Sequence, residues 1–399
     1  MGLGKTSIAI AVAIKSSSKT LIVCPAYLQQ TWQEEINKFV ENPKVKIIKS
    51  VEEYEKDIDF YIVSYTSILK SHYIFEHIDM VICDECTALK NHKAKRSKNF
   101  EKYILEHKPK RLLLLSGTPI KNSVKEWHNL LRLIWHGGKY PEFNDFGIKS
   151  KSHRKSSDIG WYAFINTFCN KDSSFWGTKW TGYKKENLPY LSKLLRPVYI
   201  RKRASQVLDL PKIVNKTIKI GKKSKLDKKL KEAWDNWRKN NKDLAHATIK
   251  AESALKKTDS TIELAKEIAS QGEKVIIFTD HIESAKRLSA ELKASLIMGS
   301  TPTDQRQLRI DNFNSNSANF LVGTIGAMST GFTINSACHM IFNDISWVPA
   351  DLMQAKKRNH RIGQTRTCFY YYILLSDIDY QIFQTVLEKT KEISGVINV

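Results

Sequence analysis

The sequence predicts an open α/β protein with parallel sheets, built as two similar domains in tandem around a small helical insert. Short apolar runs such as TLIVCP (20–25) and MVICDE (80–85) end abruptly in polar turns, as strands buried on both faces do. Helical stretches such as YLQQTWQEEINKFV (27–40) separate them, giving a βαβ rhythm. That rhythm stops near residue 135 and resumes beyond residue 215.

Along the chain, residues 1–135 make the first α/β domain. Its strands are TLIVCP, FYIVSY (60–65), MVICDE and RLLLLSGTP (111–119). Residues 136–215 have weak periodicity, a strong Lys/Arg excess, and aromatics interleaved with the charges: Trp161, Tyr162, Phe164, Trp176, Trp180 and Tyr183. Such rings either stack on nucleic-acid bases or form the core of a small helical insert. The core reading is the simpler for the rings, and phosphate contact for the basic residues. Residues 216–399 make the second α/β domain. Residues 222–270 read as one long, Lys-rich amphipathic helix. KVIIFTD (274–280), ANFLVGTIGA (318–327), HMIFND (339–344) and CFYYYILL (368–375) then read as strands, with a helix over ESAKRLSAELK (283–293).

Composition narrows the partners. Lys and Arg number 64 against 41 Asp and Glu, a net charge of +23 in 399 residues. A field of that sign attracts a polyanion, although a Lys-rich chain from an AT-rich genome would look similar. No run approaches the roughly 20 apolar residues of a membrane span, so no membrane partner is expected. Six scattered cysteines suit a reducing cytoplasm. Cys83 and Cys86 form a C-x-x-C, but no second pair stands near them and the intervening acids have a better use.

Four motifs carry chemistry. Gly2, Gly4, Lys5 and Thr6 precede an apolar helical run. Glycines let backbone N–H groups approach a phosphate, the helix dipole favours the anion, Lys5 reaches the β- and γ-phosphates, and Thr6 offers its hydroxyl to Mg²⁺. Asp84 and Glu85 end a buried strand, where open sheets place their chemistry. Asp84 would hold Mg²⁺ with Thr6, and Glu85 would polarise the attacking water. Ser116, Gly117 and Thr118 end the next strand and could sense the γ-phosphate. Arg358 and Arg361, three apart in QAKKRNHRIGQ (354–364), would share one helix face and deliver guanidinium charge to the transition state.

These stretches, with DECTALKN (84–91), LLLLSGTPIKNSVKEW (112–127) and above all WVPADLMQAKKRNHRIGQ (347–364), resemble the Swi/Snf branch of superfamily-two helicase-like ATPases. The chain looks most like the small fork-remodelling, annealing-helicase group, and the resemblance covers nearly all of it. It implies two RecA-like domains with ATP and Mg²⁺ in the cleft between them. It also implies Gly331 and Gln354 as residues coupling DNA contact to the nucleotide, and translocation on double-stranded DNA, branched or forked, rather than RNA. Thr87 stands where the family has His, and Lys357 where it has Asp. The family's strand and adenine-binding glutamine motif upstream of the phosphate loop have no counterpart in the sequence. Two alternatives follow: a non-catalytic DNA-binding remnant, or half of a split motor completed by an upstream polypeptide. A compact motor without accessory modules suits a phage or bacterial protein in the bacterial cytoplasm.

Overall fold

The computed structural model describes residues 3–16, 19–68, 75–120, 123–135, 160–174, 177–202, 204–220, 228–232, 235, 244–315, 318–328, 332–346, 348–375 and 377–397. It divides into two compact units, Met1–Lys202 with Glu392–Val399, and Arg203–Lys391. The division falls within the segment expected to link the domains. Among the described residues, no helix is long and apolar enough to cross a membrane.

The first unit is built on five parallel strands in the order β2-β3-β1-β4-β5. They are β1 (Thr20–Cys24), β2 (Val45–Ile48), β3 (Phe60–Ser64), β4 (Met80–Cys83) and β5 (Arg111–Leu114). Strands β1, β3 and β4 are buried at every position, which is why their sequences are apolar without alternation. The chain steps outward from β1 to β2, returns through β3, and crosses β1 to reach β4. The carboxyl ends of β1 and β4 therefore lie side by side, with Val23 in register with Cys83. A reversal of strand order at that point is where open α/β sheets bind ligands.

The aromatic segment does not form a core of its own. Phe164, Ile165 and Phe168 of the helix Trp161–Phe168, and Leu191, Leu194 and Leu195 of the helix Leu188–Leu195, join the same cluster as Val81, Cys83, Trp127 and Leu130. Trp161 lies 4.5 Å from the ring of His92, and Trp180 and Tyr183 pack against the cluster. Tyr162 alone of the segment's described rings is exposed, at 72%. The segment also holds an antiparallel hairpin, β6 (Asn170–Ser174) with β7 (Gly177–Thr181), which the weak periodicity concealed. Trp176 and residues 136–159 lie outside the described residues.

The second unit has six parallel strands in the order β10-β11-β9-β12-β13-β8. These are β8 (Ile213–Lys219), β9 (Val275–Thr279), β10 (Ser295–Ile297), β11 (Phe320–Thr324), β12 (His339–Phe342) and β13 (Cys368–Leu374). Strand β8 runs along β13 for its whole length, Ile213 against Cys368 to Lys219 against Leu374. It is largely exposed, so it lacks the apolar run that marks the other strands. The single helix expected over 222–270 is broken among its described residues into Leu244–Lys256 and Thr258–Ser270. At the break Lys257 is buried and ion-paired with Asp379, while the Thr258 hydroxyl donates to the Leu255 carbonyl.

Candidate active site

In the first unit Lys5 opens the helix Lys5–Ser16. Gly4 has φ +68°, in the left-handed region that side chains avoid, and its carbonyl accepts the N–H of Ile8 to start the helix. Lys5 and Thr6 are both partly exposed in the first turn, where unpaired backbone N–H groups and the helix dipole favour an anion.

Asp84 follows β4 directly and is 8% exposed. Its backbone N–H donates to Val23, so the ladder fixes its position. Its carboxylate accepts the indole N–H of Trp32 at 3.1 Å and the backbone N–H of Glu85 at 2.9 Å. Burial pushes the carboxyl above its ordinary range, while the Lys5 ammonium and these two donors pull it back down. The structure thus brings Lys5 and Asp84 together, as the motifs require. A buried carboxylate beside a helix N-terminus suits Mg²⁺, whose two positive charges would offset the cost of burial.

Glu85 has φ +49°, an uncommon backbone state for a residue with a side chain. It is held from both sides: Tyr65 donates its hydroxyl to the Asp84 carbonyl at 2.8 Å, and Cys86 donates its N–H to Leu115 at 2.9 Å. Strain kept in place by surrounding bonds at a sheet's carboxyl edge is a mark of functional positions. The Leu115 bond also ties the acidic pair to the next motif. There the Thr118 N–H donates to the Ser116 hydroxyl at 3.1 Å across Gly117, with Thr118 buried. Thr87 is buried in the short 3₁₀ helix Cys86–Leu89. Beyond it, Lys90 pairs with buried Glu126 at 2.6 Å, a second tie between the acidic motif and the chain after Ser116–Thr118.

The arginines of the second unit do not share a helix. The helix Pro349–Lys356 ends before them. Its end is taken up by other partners: Lys357 caps it, and the Tyr370 hydroxyl donates to the Lys356 carbonyl at 3.0 Å. Asn359 donates to Ala337 at 3.3 Å, and Gly363 turns the chain at φ +94°. The two guanidiniums nevertheless converge on one atom, the Phe332 carbonyl, from Arg358 at 3.0 Å and from Arg361 at 3.4 Å. Arg358 is 4% exposed and also donates to Gln354, itself buried in the helix. Arg361 is more open. Gly2 and Gly331 lie outside the described residues.

Several residues of the site carried no sequence signal. Trp32 and Tyr65 stood only within runs that read as a helix and a strand, with no role of their own. Another group sits at the carboxyl edge of the second sheet. Asp344 accepts the Thr279 hydroxyl, the Asp280 N–H at 3.0 Å and an Asn343 N–H at 3.3 Å. Burial, then the Asp344 charge, raises the Asp280 carboxyl to about 6, against the pull of Lys250.

Comparison with known proteins agrees with this architecture. Residues 1–273 match the SNF2-related domain and residues 256–363 the helicase conserved C-terminal domain. The chain is 24% identical, over 99% of its length, to the DNA annealing helicase and endonuclease ZRANB3 of Bos taurus. Over 98% of its length it is 28% identical to the SWI/SNF-related matrix-associated actin-dependent regulator of chromatin subfamily A-like protein 1 of Xenopus laevis. It spans only 38% and 41% of these relatives' own lengths. Its fold is similar to that of Saccharomyces cerevisiae Dbp5 bound to RNA and ADP BeF3, with TM-score 0.53, 12% identity, and coverage of 98% of this chain and 81% of that one. Two parallel sheets in tandem, a phosphate-type helix start beside buried Asp84 and its neighbour Glu85, and a family match over more than half the length lead to one conclusion: the chain belongs to the SNF2-related family and carries its tandem helicase-like motor domains.

Proposed function

We propose that the chain is an ATP-driven motor that tracks on double-stranded DNA, including branched or forked DNA. The observation that supports this most is the grouping of Lys5, Asp84 and Glu85 at the carboxyl edge of the first sheet. In this reading Gly2, Gly4, Lys5 and the helix N-terminus hold the phosphates of ATP. Thr6 and Asp84 hold Mg²⁺, which when bound neutralises charge on the β- and γ-phosphate oxygens. Trp32 and the Glu85 N–H keep the Asp84 carboxylate aimed, and Glu85 orients the attacking water. Ser116, Gly117 and Thr118 register the γ-phosphate through the Leu115 and Cys86 bond.

From the second unit, Arg361 supplies charge to the transition state. Arg358 holds the Phe332 carbonyl that both arginines share, and Gly331 and Gln354 couple DNA contact to the nucleotide. Duplex DNA as the track is supported by the net charge of +23 and by relatives whose names include DNA annealing. A reducing, cytoplasmic setting suits the six buried, free cysteines.

A second reading, in which an upstream polypeptide completes the first domain, has an observation in its favour. Strand β5 is an outer strand of its sheet among the described residues, yet Leu112, Leu113 and Leu114 are apolar without alternation and only half-buried. Ile8, Val12 and Ile14 of the helix Lys5–Ser16 are exposed. An apolar outer strand of this kind is a template for pairing with a further strand.

ATP hydrolysis by the purified chain, with and without duplex DNA and beside Lys5→Ala, tests the proposal. DNA-stimulated turnover lost in Lys5→Ala is the expected result. No turnover, with salt-sensitive DNA binding kept, would favour the remnant. Turnover restored only by an added upstream segment would favour the split motor.

A further inference from the structure

The amino edge of the second sheet, opposite the Asp280 and Asp344 edge, gathers side chains that the motor reading leaves unused. We propose that Glu273, Cys338 and His339 form a site for a zinc-class divalent cation. Their ligand atoms all lie within 4.8 Å of one another. The Cys338 sulfur is 3.5 Å from a Glu273 carboxylate oxygen, and Cys338 is 3% exposed. One sulfur, one imidazole nitrogen and one carboxylate oxygen, with a fourth position left open, is a donor set that borderline-soft Zn²⁺ accepts and that Mg²⁺ and Ca²⁺ do not prefer.

The surroundings orient these donors. Arg366 holds both Glu273 oxygens, at 2.8 and 2.9 Å, which leaves further lone pairs on each. The His339 ring is stacked 5.0 Å from Phe369 and 5.9 Å from Tyr371, and its Nδ1 meets the Tyr371 hydroxyl at 3.2 Å. Outer partners of this kind fix ligand rings in known metal sites. Binding exchanges the Cys338 thiol proton for the metal, and that proton leaves to water.

The three ligands come from the loop before β9 and from the start of β12, neighbouring strands in the sheet. A bound ion would therefore clasp two central strands at the edge remote from Asp280 and Asp344. A clasp of that kind does not depend on the motor reading.

The test uses the untagged full chain, stripped with chelator and titrated with Co²⁺. The expected result is thiolate-to-cobalt charge-transfer absorption that saturates near one equivalent and is displaced by Zn²⁺ but not by Mg²⁺. Cys338→Ser abolishes the band, and Glu273→Gln, a milder surface change, weakens Co²⁺ binding about tenfold or more. Zn²⁺ raises the melting temperature of the stripped chain but not that of Cys338→Ser, whose melting in chelator matches the parent. Absence of a thiolate band, or a band that survives in Cys338→Ser, overturns the proposal.

Discussion

Trp32 was legible only as one residue of the helical run 27–40, because a tryptophan on a helix advertises its area and not its N–H. The structure gives that N–H to Asp84 at 3.1 Å. A hydrogen bond to a charged group is worth about 1.5–3 kcal/mol, and here it supports the ionised form that binds Mg²⁺. Trp32→Phe keeps most of the ring and removes the donor. It should raise the Mg²⁺ concentration for half-maximal ATP turnover several-fold while leaving DNA binding unchanged. Unaltered Mg²⁺ dependence would show that Trp32 is packing alone. The two arginines separate in the same way. Arg361→Lys should lower kcat on the order of a hundredfold or more, since a transition-state guanidinium is hard to replace. Arg358→Lys should lower the melting temperature as well, because buried Arg358 holds the Phe332 and Gln354 carbonyls. Equal effects of the two on stability would contradict this division.

Asp280 yields a prediction with a pH window. Its carboxyl titrates near 6 in the fold, against 3.8 ordinarily. Above pH 6 the folded chain carries a half-buried charge it would shed, so stability is full below about pH 4 and falls as pH rises to about 6. Asp280→Asn should stabilise the protein by about 1–3 kcal/mol at pH 8 and by little at pH 4. Thermal melts at both values check it, and a gain independent of pH would refute the assignment. Nothing in KVIIFTDH marks Asp280, since the shift comes from burial in the fold and then from Asp344, 64 residues later.

Elements were legible where burial alone decided them. TLIVC, FYIVS, MVIC and VIIFT became fully buried parallel strands within a residue or two of expectation. Elements decided by a neighbour were not. Strand β8 owes its conformation to β13, and its own residues IVNKTIK show no buried face. Arg358 and Arg361 obey helical spacing, but Tyr370, Asn359 and Gly363 end the helix before them. The helix reading was wrong, and yet both guanidiniums meet at Phe332. Gly363 is the most exacting of these positions. A Cβ there would come within 2.6 Å of the Asn335 amide, and φ is +94°. Gly363→Ala should destabilise the second unit by about 1–3 kcal/mol, and a chemical denaturation midpoint unchanged from the parent would argue against the turn as described.

At the scale of the whole molecule, two sheets with the same rhythm follow from two runs of apolar strands, and the aromatic segment between them was ambiguous for a physical reason. Rings spaced for stacking and rings spaced for packing give the same composition, and only the fold shows Phe164 and Phe168 buried with Trp127. The charge of +23 belongs to no single element, and it should make DNA affinity fall steeply with salt. In the proposed reading, hydrolysis moves this chain along a duplex. Displacement of a third strand from a triplex on duplex DNA reads that movement directly. The expected displacement requires ATP and Mg²⁺ and vanishes in Lys5→Ala and Glu85→Gln, both still bound to the duplex. Displacement that persists without ATP, or ATP hydrolysis stimulated by duplex DNA with no displacement, would contradict it.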